Sequence, residues 1–89
     1  MTSKERAALR AKAHALKPAY RIGKAGITEA VAKDISAGFN RSELLKVKVL
    51  DGALLTAREA AEALSEQIEG AQVVQVAGRI VTLYRAAAE

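Results

Sequence analysis

The order of the first elements follows from residues 16–28, which read LKPAYRIGKAGIT. Pro18 cannot continue a helix and biases the residue before it towards extended geometry, so a helix that precedes this stretch must end here. The apolar run 19–22 predicts a short strand, and two glycines then break that strand. Thr28 has a side chain that can cap the start of a second helix. The stretch therefore predicts a helix, a strand, a glycine loop and another helix, in that order.

The residues on either side of this stretch have helical patterns. Upstream, Thr2 and Glu5 have the spacing of a capping box, which marks a helix start. The expected inner face of this first helix consists of Leu9, Ala13 and Leu16. Downstream, the second helix is predicted by an apolar stripe at intervals of four residues: Ile27, Val31, Ile35 and Phe39.

The second half of the chain predicts a strand, a helix and a hairpin. Residues 44–50 alternate between apolar residues and lysines, which indicates a half-buried strand. After the turn signal Asp51-Gly52, a capping box at Thr56 and Glu59 begins a third helix. Its inner face is expected to hold Leu54, Ala57, Ala61, Leu64 and Ile68. Residues 73–77 and 79–85, joined at Gly78, predict a hairpin. The order αβαβαββ predicts an α/β fold: a four-stranded mixed sheet with packed helices, in one domain spanning residues 1–89.

The composition argues against several classes of site. The chain has no cysteine, which excludes disulfides, thiolate metal ligands and cysteine nucleophiles. No apolar run approaches the roughly 18 residues of a membrane helix, and the first residues lack a signal-peptide core. The triphosphate and dinucleotide loop motifs are absent. We therefore expect a cytoplasmic monomer with no catalytic residues, no metal, no cofactor, no membrane partner and no small-molecule substrate.

Charge is concentrated in the first half of the chain. Residues 1–48 contain 11 basic and 4 acidic residues, whereas residues 49–89 contain 3 basic and 6 acidic residues. Such an asymmetry is typical of a protein with a polyanionic partner, but a solvated basic surface without a partner explains it equally well.

The loop Gly23-Lys24-Ala25-Gly26 is the most informative candidate for binding phosphate. Glycines let a backbone approach a ligand closely, and Lys24 adds a mobile cation. The helix that follows presents N–H groups and a positive dipole end, which attract anions. Arg21 lies beside the loop. Without further context, however, an ordinary turn that needs two glycines explains the pattern better.

A second candidate lies on the first helix, where four basic residues are predicted to share a face turned away from Leu9 and Ala13: Arg6, Arg10, His14 and Lys17. We interpret this stripe as a phosphate-binding surface, and a solvated helix face is the alternative. The third helix has an acidic line, Glu59, Glu62, Glu66 and Glu69, which we interpret as solvated because no ligands converge on it from other elements.

Three blocks of sequence together resemble the CRM domain, named for chloroplast RNA splicing and ribosome maturation. They are LKPAYRIGK at 16–24, LLKVKVL at 44–50 and VVQVAGRIVTLYR at 73–85. The similarity covers roughly residues 4–85 and is to the bacterial stand-alone, YhbY-like members. It implies a fold similar to the C-terminal domain of bacterial translation initiation factor three. It also implies RNA binding through a GxxG loop likened to that of KH domains. Bacterial members are associated with precursors of the large ribosomal subunit, and plant members act in group II intron splicing.

The resemblance maps the RNA-binding loop onto Gly23, Lys24, Ala25 and Gly26, and the basic first helix onto Arg6, Arg10 and Lys12. Taken with the patterns above, the predicted RNA-binding residues are Arg6, Arg10, Lys12, His14, Lys17, Arg21, Gly23, Lys24, Ala25 and Gly26. Because the chain has only three aromatic residues, we expect recognition of RNA shape and backbone with weak sequence preference. The resemblance implies that this RNA is ribosomal RNA, bound during assembly of the large subunit. The alternative is a protein-interaction adaptor in ribosome assembly that uses the acidic third helix. An enzyme acting on RNA is disfavoured because no nucleophile and base are paired.

Overall fold

A computed structural model describes residues 1–87, and these contain three helices and four strands in the order αβαβαββ. The helices are α1 (Ser3–Ala13), α2 (Glu29–Gly38) and α3 (Ala57–Gln67). The strands are β1 (Tyr20–Ile22), β2 (Leu44–Val49), β3 (Gln72–Ala77) and β4 (Ile80–Tyr84). The predicted fold class and order of elements are therefore confirmed.

Each helix begins at a threonine N-cap, as the sequence predicts. The hydroxyls of Thr2, Thr28 and Thr56 accept the backbone N–H three residues later, at 3.1 Å in each case. At the first and third helices a glutamate completes a capping box by accepting the N–H of the threonine. In α1 this bond lowers the pKa of Glu5. These local bonds fix where each helix starts.

The four strands form one mixed sheet in the order β1-β2-β4-β3. β1 runs parallel to β2, whereas β4 is antiparallel to both β2 and β3. As a result, the loop after β1, the turn after β2 and the β3–β4 turn all lie at the same end of the strands. We call this end the loop edge.

The main core lies between one face of the sheet and the helices α2 and α3. The alternation predicted for β2 is confirmed, since Leu45, Val47 and Val49 are buried on this face. α2 and α3 pack onto them with Ile35, Phe39, Ala60, Ala61 and Leu64. The lysines of β2 consequently face the opposite side of the sheet.

α1 covers only part of that opposite side. A small cluster of Ala13, Leu44 and Val74, with Leu9 and Tyr84 against it, joins α1 to the sheet. Leu44 and Tyr84 are register partners at the end of the sheet away from the loop edge. The half of this face nearest the loop edge therefore stays open, and we call it the open face.

Three details of the sequence-based packing need correction. Leu54 is 91% exposed, because it precedes the N-cap of α3, and Ala60 is buried on the inner face of that helix. Leu16 lies beyond the end of α1 and is 39% exposed. In addition, a Cβ at Gly38 would overlap the ring and hydroxyl of Tyr20, so the close packing of Tyr20 against α2 requires glycine.

Candidate nucleic-acid interface

Three turns converge at the loop edge. The N–H of Leu50 donates to the carbonyl of Ile22 at 2.9 Å, which holds the turn after β2 beside the glycine loop. The N–H of Val49 donates to the carbonyl of Arg79 at 2.8 Å, which holds the hairpin turn on the other side. A Cβ built at Gly52 would lie 3.9 Å from Cγ of Lys24, so the stem of that lysine runs along the middle turn. The glycine loop is thus one of three neighbouring turns.

The two glycines of the loop have different structural roles. The N–H of Gly26 donates to the carbonyl of Gly23 at 3.0 Å and closes the turn. Gly26 has φ of 70°, in the left-handed region that favours glycine. Gly23 has no positive φ, and a Cβ there would make only an ordinary contact of 3.8 Å with Leu50. The backbone therefore requires glycine at 26, whereas nothing in the protein itself requires it at 23.

The N-terminus of α2 is less suited to an anion than the sequence predicts. The hydroxyl of Thr28 already accepts the N–H of Val31. Glu29 adds a negative charge to the first turn and forms an ion pair with Lys33 at 3.5 Å. Because this carboxylate opposes a phosphate at the same place, the cations around the loop matter more than the helix dipole.

Arg21 has a cationic neighbour on the open face. It is the register partner of Lys48 in the parallel β1–β2 pair, and both side chains are exposed. Neighbouring strands lie about 4.8 Å apart, so the two side chains leave the sheet side by side. We call Arg21, Lys24 and Lys48 the loop-edge cluster. Lys48 is not among the RNA-binding residues predicted from the sequence. It could have been found by combining the alternation of residues 44–50 with a parallel pairing of β1 and β2.

The remaining lysine of β2 connects the open face to the end of α1. Nζ of Lys46 donates to the carbonyl of Leu16 at 3.1 Å, and the N–H of Ala19 donates to the carbonyl of Lys46 at 3.0 Å. His14 and Lys17 are exposed on this connecting segment. They extend the basic surface along the sheet, away from the loop edge.

Arg6 does not belong to that surface. Its Nη1 donates to the carbonyls of Val73 at 2.9 Å and Val74 at 3.3 Å, and the residue is half-buried. The prediction that Arg6 lies on a face turned away from Ala13 is wrong. Seven residues make almost two helical turns, which places Arg6 nearly in line with the buried Ala13. The guanidinium therefore ties α1 to the edge strand β3.

Arg10 and Lys12 are exposed on α1 but lie far from the glycine loop. Lys12 lines a shallow hollow with Glu43 and Leu44, at the start of β2. At about 3.3 Å per residue, β2 is roughly 17 Å long, and the loop lies beyond its other end. The predicted residues consequently form an extended surface and not one compact site.

None of the three aromatic residues offers an open platform for stacking bases. Tyr20 packs against the main core, and the ring of Phe39 lies 4.9 Å beneath the guanidinium carbon of Arg85. Tyr84 packs under α1, and its hydroxyl donates to Glu43 at 3.2 Å. Desolvation, together with the nearby Glu43 carboxylate, raises the pKa of Tyr84. The arrangement suits contacts to a backbone better than contacts to bases.

The acidic line of α3 lies outside the main core, on the other side of the sheet from the open face. All four glutamates are exposed, as predicted. The carboxylate of Glu59 accepts the N–H of Thr56 at 2.9 Å and so belongs to the helix cap.

Within residues 1–87, no three His, Asp or Glu side chains form a group that could hold a metal ion. No helix of that part is long and apolar enough to cross a membrane.

Comparison with known proteins places this architecture in a family. The chain is 35% identical over 89 residues to the probable RNA-binding protein YqeI of Bacillus subtilis, covering all of this chain and 92% of that protein. It is 41% identical over 87 residues to the probable RNA-binding protein MJ0652 of Methanocaldococcus jannaschii, covering 96% of this chain and 63% of that protein.

A solved structure and a family model agree with these relatives. The solution structure of the hypothetical protein SAV1595 from Staphylococcus aureus matches with a TM-score of 0.78 and 36% identity, over all of this chain and 92% of that one. The family model of the CRS1 / YhbY (CRM) domain matches residues 1–85. The chain therefore belongs to the CRS1 / YhbY (CRM) domain family.

Proposed function

We propose that this protein binds structured RNA through the loop-edge cluster and the basic surface that continues towards α1. The observation that carries the proposal is the cluster itself: Arg21 and Lys48 side by side on the open face, with Lys24 on the adjoining loop. Among residues 1–87 the ion pairs involve Lys33 and Arg79, so none of the three cluster side chains is in an ion pair. The names of the relatives YqeI and MJ0652 support RNA as the polyanion.

The chemistry of the interface suits a phosphate backbone. Arginine binds phosphate oxygens through a planar fork, and each lysine supplies a mobile point charge. Gly23 leaves the loop backbone accessible, so its amides can approach the sugar–phosphate chain. Sequence-specific readers of single-stranded RNA commonly stack bases on aromatic side chains, and the interface has no aromatic side chain open for that. The protein therefore recognises the shape and backbone of folded RNA.

The binding test compares single alanine variants of Arg21, Lys24 and Lys48 with Arg58→Ala, a matched control. Arg58 is exposed on α3, behind the sheet, so its removal lowers the net charge equally. Titration of a labelled RNA hairpin at several salt concentrations should give weaker binding for the three cluster variants. Each should also lose about 0.7–0.9 from the slope of log affinity against log salt concentration. Equal losses for Arg58→Ala would show that only net charge matters and would refute the proposed interface.

The RNA target we propose is ribosomal RNA of the large subunit or its precursor, which is what the resemblance to bacterial CRM proteins implies. Crosslinking in cells followed by sequencing of the bound RNA tests this directly. Enrichment of large-subunit sequences that is lost in Lys24→Ala supports the target. Reads spread over unrelated transcripts, with no such dependence on Lys24, would exclude it.

A second candidate function is a protein adaptor that presents α3 to a basic partner. The exposed carboxylates of Glu62 and Glu66 lie on α3, and the exposed Glu69 follows just beyond the end of that helix, away from the loop edge. Glu62→Lys together with Glu66→Lys should then abolish co-purification of a ribosomal protein while RNA binding persists. Unchanged co-purification would contradict the adaptor function.

A further inference from the structure

The loop edge contains an ion pair between two residues outside the cluster. Oδ1 of Asp51, in the turn after β2, lies 2.6 Å from Nη1 of Arg79, in the hairpin turn. Their side chains are 90% and 56% exposed, respectively, so both can meet a ligand. The pair thus bridges two of the three turns on their solvent side.

This pair lies beside the proposed RNA-binding loop. Asp51 directly precedes Gly52, over which the stem of Lys24 runs. On the other side, the backbone of Arg79 is held against β2 by the bond from Val49. Lys24 and Arg79 therefore flank the turn that carries Asp51, and a cation, an anion and a cation follow one another along the edge.

The turns do not depend on the ion pair for their geometry. The N–H of Ala53 donates to the carbonyl of Leu50 at 3.0 Å and closes the turn after β2, and Leu50 in turn bonds Ile22 of β1. Exposed ion pairs of this kind contribute little to stability. The contact between Asp51 and Arg79 can therefore break and re-form without disturbing the fold.

We propose that Arg79 is a further phosphate-binding residue and that Asp51 competes with RNA phosphate for its guanidinium. This inference rests on the proposed RNA-binding function. A phosphate at the loop edge accepts hydrogen bonds from the guanidinium in place of the carboxylate, and charge-assisted bonds from arginine to phosphate are commonly bidentate. Asp51 thereby lowers the affinity for any RNA whose backbone phosphate uses the guanidinium of Arg79.

The size of this effect follows from the weakness of exposed ion pairs. The equilibrium constant for forming such an ion pair from the separated side chains is about 1.4–5. The guanidinium is therefore paired with the carboxylate more than half of the time. The apparent affinity of a ligand is reduced by the fraction of the protein that is competent to bind it. Release of Arg79 from Asp51 should then raise RNA affinity about two- to sixfold.

The test is a double-mutant cycle of Asp51→Asn and Arg79→Ala, with Glu62→Gln as a matched control that removes one negative charge on α3. Asparagine before glycine keeps the turn favourable. A labelled RNA hairpin is titrated by fluorescence anisotropy, and thermal unfolding verifies that each variant folds. We expect Asp51→Asn to tighten binding about two- to sixfold when Arg79 is present and clearly less when it is alanine. Glu62→Gln should have a smaller effect than Asp51→Asn.

Two results would overturn the inference while the proposed function stands. One is an equal gain from Asp51→Asn with and without Arg79, because Asp51 would then act only as a negative charge. The other is a gain no larger than that of Glu62→Gln. In both cases the parent protein still binds RNA, and Lys24→Ala still weakens that binding. If the parent does not bind RNA, or Lys24→Ala has no effect, the proposed function fails and this inference fails with it.

Discussion

Substitution of the two loop glycines can separate effects on stability from effects on RNA affinity. Gly26 has φ of 70°, and a Cβ at this position would have no atom within 4 Å, so Gly26→Ala introduces backbone strain without a clash. An L-residue in this region costs about 1–2 kcal/mol. Gly23→Ala introduces no strain in φ, and its Cβ makes one ordinary contact. The substitution also restricts the unfolded chain, and that restriction stabilises a protein by about 0.4–1 kcal/mol.

The unfolded-chain effect is common to both variants, so they should differ in unfolding free energy by the strain alone, about 1–2 kcal/mol, with Gly23→Ala the more stable. For a domain of this size the difference corresponds to roughly 4–16 °C in Tm. Thermal unfolding followed by circular dichroism measures it. If Gly23→Ala loses as much stability as Gly26→Ala, the distinction drawn from the backbone is incorrect.

RNA binding should follow a different order. Gly23→Ala keeps the fold but places a methyl group where the loop backbone would meet the sugar–phosphate chain. We expect a loss of affinity of about three- to tenfold, corresponding to roughly 0.7–1.4 kcal/mol. The measurement is made on a labelled hairpin well below the Tm of both variants. Parental affinity in Gly23→Ala would show that the backbone at this position does not contact RNA.

Four further substitutions test residues assigned to the fold. Gly38→Ala should destabilise by about 1–3 kcal/mol in urea unfolding because its Cβ overlaps the Tyr20 hydroxyl, although alanine favours helix. Tyr20→Phe should recover part of that loss, and strict additivity would refute the clash. Arg85→Ala removes bonds to the last turn of α2 and should cost about 2 kcal/mol with RNA affinity unchanged. Arg6→Ala should lower unfolding free energy by about 1–2 kcal/mol through the lost bonds to β3, without altering the salt dependence of RNA binding. A change in that salt dependence would show that Arg6 contacts RNA after all.

The features that were predictable from the sequence are those encoded by neighbouring residues. The threonine caps, the alternation of residues 44–50 and the hairpin at Gly78 each depend on a few consecutive positions, and each is confirmed. Leu54 shows the limit of this reasoning, because it fits the apolar period of α3 but precedes the helix. A period identifies a face only for residues that lie inside the element.

Features formed between distant segments could not be predicted in the same way. The pairing of Arg21 with Lys48 depends on the register of two strands separated by a helix. The ion pair of Asp51 and Arg79 depends on which turns share an edge of the sheet. For Arg6, helical geometry could have placed it beside Ala13, but its partner carbonyls lie at a bulge between Val73 and Gln75 that no local pattern marks.

The arginines of this protein show why net charge is a poor guide to its interface. The guanidiniums of Arg6 and Arg85 are engaged by backbone carbonyls or side chains of the fold, and Arg79 is balanced by a carboxylate. The unbalanced charge at the loop edge consequently comes from Arg21 and two lysines. The acidic line of α3 lies behind the sheet from that cluster, so a polyanion is attracted to one side and repelled from the other. At the proposed interface, this separation of charge across the sheet would orient RNA towards the loop edge before any contact is made, which a uniformly basic surface of the same net charge could not do.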